Sequence, residues 1–179
     1  LTIARLVPQK GVDGAIRAVA RLAAEGVHVE YTVIGNGPER EALEKLAQGA
    51  PVQFTGALNR EAVHEHCARA HAFLFTPRKV PEGDEEGQGL VVQEAQACGL
   101  PVLATRHGGV PEGLIENETA LLAQENSDDA LHAKLLELLA RHADWPAMGR
   151  AGRALVEARY THLQHLDGLE RVYAQVLGR

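Results

Sequence analysis

Short apolar runs and helical patterns alternate along this chain almost to its end, which constrains its fold more than any other feature. The apolar runs at 1–5, 29–35, 52–55, 72–76, 101–105 and 119–123 read as strands. Helical patterns occupy about 12–25, 37–48, 60–70, 90–98, 111–116 and 128–142. In the first of them Ile16, Val19, Ala20 and Ala23 keep the i, i+3, i+4, i+7 spacing of one helix face, and Gly26 ends it. Alternation of this kind gives a parallel sheet covered by helices on both faces. The expected fold is therefore α/β, a Rossmann-like, doubly wound parallel sheet of about six strands. Right-handed crossovers place the C-terminal ends of the strands, and with them any ligand site, along one edge. From Ser127 the pattern is helical throughout, at 128–142, about 146–158 and about 163–177, which predicts a helical C-terminal extension.

Within that frame the densest chemistry lies between Glu86 and Glu112, EGQGLVVQEAQACGLPVLATRHGGVPE. Glu86 and Glu94 are separated by seven residues, with two glycines followed by an apolar run between them. Gly87 and Gly89 suit a tight turn and a close approach of backbone to ligand. Leu90 to Cys98 reads as a short helix stopped by Gly99, and Pro101 opens the next strand. Unpaired N–H groups near residues 88 to 91, Gln88 among them, would then face an anion at the positive end of the helix dipole. Glu94 falls one turn inside that helix on the face of Leu90. Carboxylates beside an anion site make sense if the ligand also presents hydroxyl groups, as a sugar nucleotide does. Near the start, Arg5 and Lys10 flank the first strand–helix turn, shaped by Pro8 and Gly11, and two cations beside a helix N-terminus suit a diphosphate.

These segments resemble the Glu-x7-Glu signature of retaining glycosyltransferases of family 4, which have the two-domain GT-B fold. The resemblance extends through the small-residue helix, the Pro-Val strand and the Gly-Gly-x-Pro-Glu turn at Gly108 to Glu112. ARLVPQKG, residues 4 to 11, is similar to the family's diphosphate-binding segment. The resemblance implies one half of a GT-B enzyme, the C-terminal domain that binds a nucleoside diphosphate sugar, without a metal or other cofactor. Arg5 and Lys10 would contact the donor phosphates and stabilise the departing diphosphate, and Glu86 would contact or position the transferred sugar. Glu94 would accept hydrogen bonds from the ribose. Gly56-Ala57-Leu58 lies where the family holds the base, largely by backbone contacts. Gly87, Gln88, Gly89 and Leu90 would line the phosphates. Gly35-Asn36-Gly37-Pro38 reads equally as a tight turn before a helix or as backbone close to the donor, with Gly35 the candidate. The resemblance identifies no catalytic base.

Leu1 stands inside a strand with no methionine before it, so residues 1–179 are expected to be the C-terminal half of a longer enzyme whose acceptor-binding domain precedes them. Alone, the chain would bind nucleotide and transfer nothing. In the resembled fold the last helix packs back toward the other domain, which would leave Leu166, Leu169 and Val172 as an orphaned apolar stripe. The acceptor would be a glycan or lipid-linked intermediate, as in bacterial exopolysaccharide synthesis, and the enzyme would be cytoplasmic and peripheral at the inner membrane face. A related sugar-nucleotide epimerase and a non-catalytic nucleotide-binding module are the rival readings.

Composition agrees and excludes other classes. A length of 179 residues suits one domain with a sizeable core. A net charge of −6 without a basic stripe, and 4% aromatic residues, argue against nucleic acid as the partner. No apolar run is long enough to span a bilayer, and no signal peptide is visible. Cys67 and Cys98 both fall in helical patterns and are expected to be buried, reduced thiols. The nine histidines are scattered and form no metal-ligand pattern. His107 stands apart, since it follows the fifth strand beside Gly108-Gly109 at the expected site. The polar and acidic stretch Arg78 to Glu86 reads as a solvated loop or as a wall of the sugar end of the site.

Overall fold

The computed structural model describes residues 1–81 and 86–178. The strands are β1 (Thr2–Ile3), β2 (Tyr31–Ile34), β3 (Val52–Gly56), β4 (Phe73–Phe75), β5 (Val102–Thr105) and β6 (Ala120–Ala123). The helices are α1 (Val12–Ala24), α2 (Arg40–Leu46), α3 (Arg60–Arg69), α4 (Leu90–Ala97), α5 (Asp128–Ala140), α6 (Trp145–Arg159) and α7 (His162–Val176). Short 3-10 turns occupy Pro8–Lys10, Val110–Gly113 and His142–Asp144.

Every strand pairing is parallel, as the alternation requires. Instead of one continuous sheet of six, the strands form two triplets, β1-β2-β3 and β4-β5-β6. The triplets are joined by the Leu74 N–H, which donates to the Leu1 carbonyl at 2.8 Å, and by the Thr2 hydroxyl, which donates to the Leu74 carbonyl at 2.6 Å. Across the domain the strands therefore run β3-β2-β1-β4-β5-β6, the doubly wound order. The division arises because β1 has only two residues. Past Ile3 the chain still donates from Ala4 to Ile34 and from Leu6 to Asn36.

The period-2 pattern of each strand sorts its side chains between two cores. Leu74, Leu103 and Leu121 enter one with Ile16, Leu22, Leu131 and Leu138 from α1 and α5. Phe73, Phe75, Val102, Ala104, Ala120 and Leu122 enter the other with Cys67 and Val92 from α3 and α4. Helices thus cover both faces, the reason the strands read as near-continuous apolar runs. Side-chain oxygens cap three helices: Asn59 accepts from the Ala62 N–H, Ser127 from Ala130 and Thr161 from Gln164.

Three expectations need correction. The buried face of α1 is Val12, Ala15, Ile16, Val19 and Leu22, with Ala20 and Ala23 only half-buried. Alanine carries too little apolar surface to fix a helix face against larger neighbours. The helix expected at 111–116 is the short 3-10 turn Val110–Gly113, after which Leu114 is extended. Cys67 is buried, but Cys98 is exposed at the C-terminal end of α4. Burial, reinforced by the neighbouring Cys98 thiol and the Glu94 carboxylate, pushes the Cys67 thiol up to about 11, so it stays protonated.

The apolar stripe on α7 is present. Leu166, Leu169 and Val172 are exposed at 41%, 40% and 55%, and Leu163, Tyr173 and Val176 extend the stripe.

Asp13, in the first turn of α1, ties the start of that helix to the segment after β4. Its carboxylate accepts hydrogen bonds from Arg17 and Arg78, both at 2.9 Å. Burial alone would raise its pKa, but the hydrogen bonds and charges of Arg78 and Arg17 outweigh burial and hold it below the usual carboxylate range. A depressed carboxylate contributes stability that is complete above the unfolded value, about 3.9, and is lost as pH falls through the lower folded value. Urea midpoints measured down from pH 5 should fall more steeply for the wild-type chain than for Asp13→Asn. Parallel curves would show that the two arginines do not favour the charged form.

Candidate functional site

The strand order reverses between β1 and β4, and the crevice beyond their C-terminal ends is where a doubly wound sheet binds ligands. The 3-10 turn Pro8–Lys10 follows β1 and delivers Lys10 to this crevice, while the segment after β4 delivers Glu86. Lys10 and Glu86 form an ion pair, their side chains 23% and 14% exposed. The Lys10 ammonium also lies 5.6 Å from the centroid of the Phe75 ring, at the end of β4. Arg5 is exposed on the same connection, and its guanidinium pairs with no carboxylate among the described residues.

Helix α4 opens onto the crevice. Gly89 is its N-cap with φ +69°, and a Cβ there would stand 2.6 Å from the Phe75 ring, so both backbone and packing demand glycine. Gly87 differs from the tight turn expected of it: its φ lies outside the left-handed region, and a Cβ there would meet no described residue within 4 Å. The N–H groups of Gln88, Leu90 and Val91 find no acceptor among the described residues, as the start of a helix requires. Leu90 and Glu94 share an exposed face of α4, and the Glu94 carboxylate accepts no hydrogen bond from a described residue. The site thus offers a cation, free helix N–H groups and an accessible carboxylate in sequence along one edge.

Gly35 and Gly56 lie together at the ends of β2 and β3, where the Gly35 N–H donates to the Gly56 carbonyl at 2.9 Å. Leu58 is half-buried, its side chain packed against the second core. Residues 82–85 of the acidic stretch, Asp84 and Glu85 included, lie outside the described residues.

The far wall comes from β5 and β6. His107 follows β5 and is 4% exposed. Its Nδ1 lies 2.7 Å from the Glu125 carboxylate, and its Nε2 accepts from the Glu86 N–H at 3.3 Å. The Gly109 N–H donates to the Gly87 carbonyl at 3.0 Å. Sequence reasoning missed Glu125; its only signal is its position just past β6, on the same edge as His107. It also missed Gln93 in α4, which is buried with both ends of its amide unpartnered among the described residues. Among the described residues no three histidine, cysteine, aspartate or glutamate side chains gather as a metal site. No helix among them is long and apolar enough to cross a membrane.

Residues 1–154 match the family model described as glycosyl transferases group 1. The chain belongs to this family. A GDP-mannose-dependent monoacylated alpha-(1-6)-phosphatidylinositol monomannoside mannosyltransferase of Corynebacterium glutamicum is 38% identical over 160 residues, covering 88% of this chain and 42% of the relative. The amylovoran biosynthesis glycosyltransferase AmsK of Erwinia amylovora is 35% identical over 183 residues, covering 100% of this chain and 44% of the relative. This group 1 glycosyltransferase chain therefore spans less than half the length of both curated relatives. Its fold is that of GT-B C-terminal domains. The pneumococcal O-GlcNAc transferase GtfA, solved with UDP and GlcNAc, superposes with a TM-score of 0.80 at 20% identity, over 99% of this chain and 35% of that one.

Proposed function

We propose that this group 1 glycosyltransferase domain binds a nucleoside diphosphate sugar for retaining, metal-independent transfer to a glycan or lipid-linked acceptor. The observation that carries the reading is the convergence of Lys10, Glu86 and the open N-terminus of α4 at the strand-order reversal, with Glu94 accessible one turn further on. The helix N-terminus and Lys10, with Arg5 beside them, supply positive charge to the diphosphate and stabilise it as it leaves. Glu94 holds the ribose. Glu86 meets the sugar, with its charge balanced by Lys10 until the phosphates arrive. A domain preceding this one binds the acceptor, so the chain alone binds nucleotide without transferring sugar. The full-length enzyme works in the cytoplasm, associated peripherally with the inner membrane face where its acceptor is lipid-linked.

The GDP-mannose dependence of the Corynebacterium glutamicum relative makes GDP-mannose the first donor to test. A thermal-shift comparison of GDP-mannose, UDP-glucose and ADP-glucose, with and without EDTA, should show stabilisation by one of them that EDTA leaves unchanged. Glu94→Ala should then weaken the bare nucleoside diphosphate and the intact donor equally, by about 1.5–3 kcal/mol. Calorimetry with both ligands checks this, and a loss confined to the intact donor would take Glu94 off the ribose.

A further inference from the structure

We propose that His107, oriented by Glu125, is a positioning residue that fixes Glu86 at the sugar end of the donor site, an assignment that rests on the donor-binding reading above. Glu86 and the residues that follow it up to Gly89 lie in no helix or strand, so besides the Lys10 ammonium at its carboxylate, what places Glu86 is the grip on its backbone. Among the described residues two such grips are present, and both come from the turn after β5. The Glu86 N–H donates to His107 Nε2 at 3.3 Å, and the Gly87 carbonyl accepts from the Gly109 N–H at 3.0 Å. Sheet strand β5, through this turn, thus sets the position of a residue that contacts substrate.

The hydrogen bonds assign the imidazole. A backbone N–H only donates, so Nε2 must carry a lone pair, and the single proton of the neutral ring then sits on Nδ1. Nδ1 lies 2.7 Å from a Glu125 oxygen that accepts it, and that same oxygen also accepts from the Lys79 N–H at 2.9 Å. Glu125 is therefore fixed from β6 and from the segment after β4, and through His107 it fixes Glu86. This carboxylate–histidine relay is the arrangement by which outer residues orient a functional group. A histidine needed only to fill space would not require its second nitrogen to meet the one backbone group that precedes the sugar-contacting side chain.

Two substitutions separate the role from packing. Glutamine at 107 places an acceptor oxygen near the Nε2 position, while asparagine can still donate toward Glu125 but cannot reach Glu86. The quantity read by calorimetry is the ratio of affinities for GDP-mannose over GDP, and for UDP-glucose over UDP. His107→Asn should lower that ratio roughly ten-fold while leaving the bare diphosphate within about two-fold, and His107→Gln should restore most of it. Nitrogen-15 shifts of the wild-type ring should show a protonated Nδ1 and an unprotonated Nε2. If the wild-type chain binds a donor and His107→Asn keeps the ratio, or if Nε2 is the protonated nitrogen, the assignment is overturned and the donor site survives. Equal losses for diphosphate and donor in both variants would also overturn it, as a packing effect. A wild-type chain that binds neither pair overturns the donor site itself.

Discussion

Gly35→Ala should destabilise the domain by about 3–5 kcal/mol, at the upper end of what single substitutions do. Gly35 closes β2 with φ +139°, in a region that side chains rarely enter. A Cβ there would stand 1.8 Å from the Ala4 carbonyl oxygen and 2.9 Å from its carbon. Both obstacles are backbone, and the same stretch donates from Ala4 to Ile34 at 3.0 Å, so relief means parting the β1–β2 connection. The position had two readings in the sequence, a tight turn or backbone close to the donor. The contact with Ala4 favours the first, because the space above the Gly35 Cα is already filled by the chain. Urea denaturation gives the loss directly, and the fraction still folded should bind nucleotide with wild-type affinity. A loss under about 1 kcal/mol together with abolished binding would return Gly35 to the donor site.

The same contrast explains what the sequence made legible. Alternating apolar runs specify a parallel, helix-covered sheet whichever residues fill it, so the element order and the ligand edge follow from pattern alone. The junction of the two strand triplets did not follow, since it depends on how far the chain stays beside β2 after only two residues of β1. At the site, the glycine turn, α4 and its two glutamates are close in sequence, and local spacing is enough to set them on one helix entrance. The Lys10–Glu86 pair is a different kind of fact. Those residues were assigned separate parts of one ligand, and their mutual contact comes from β1 and β4 lying side by side. Glu125 was illegible for the same reason: it meets His107 only because β5 and β6 pair in register and both chains turn at the same edge. Gly87 shows the limit of local pattern from the other side: a tight turn was expected there, yet its φ lies outside the left-handed region.

The ion pair also changes what substitution at either end should do, and the difference between the ends is the sharper test. A diphosphate entering the crevice competes with Glu86 for the Lys10 ammonium. Lys10→Ala removes the attraction and leaves a largely buried carboxylate facing the incoming phosphates, so two effects add. Bare nucleoside diphosphate should weaken by about 1.5–3 kcal/mol, roughly ten- to a hundred-fold, while the nucleoside without phosphates changes little. Glu86→Ala does the reverse to the phosphate end, since it releases Lys10 from its partner. The bare diphosphate should then bind as well as before or more tightly, while the intact donor weakens because the sugar loses its contact. Calorimetry with nucleoside, diphosphate and donor on both variants, at two salt concentrations, reads all of these, and the Lys10 effect should shrink as salt rises to the extent that the site admits solvent. Equal losses for nucleoside and diphosphate in Lys10→Ala would show that the lysine holds the fold rather than the phosphate. A diphosphate that weakens in Glu86→Ala as much as the donor does would mean that Glu86 organises the whole crevice through its pairing with Lys10, and that the sugar contact lies elsewhere.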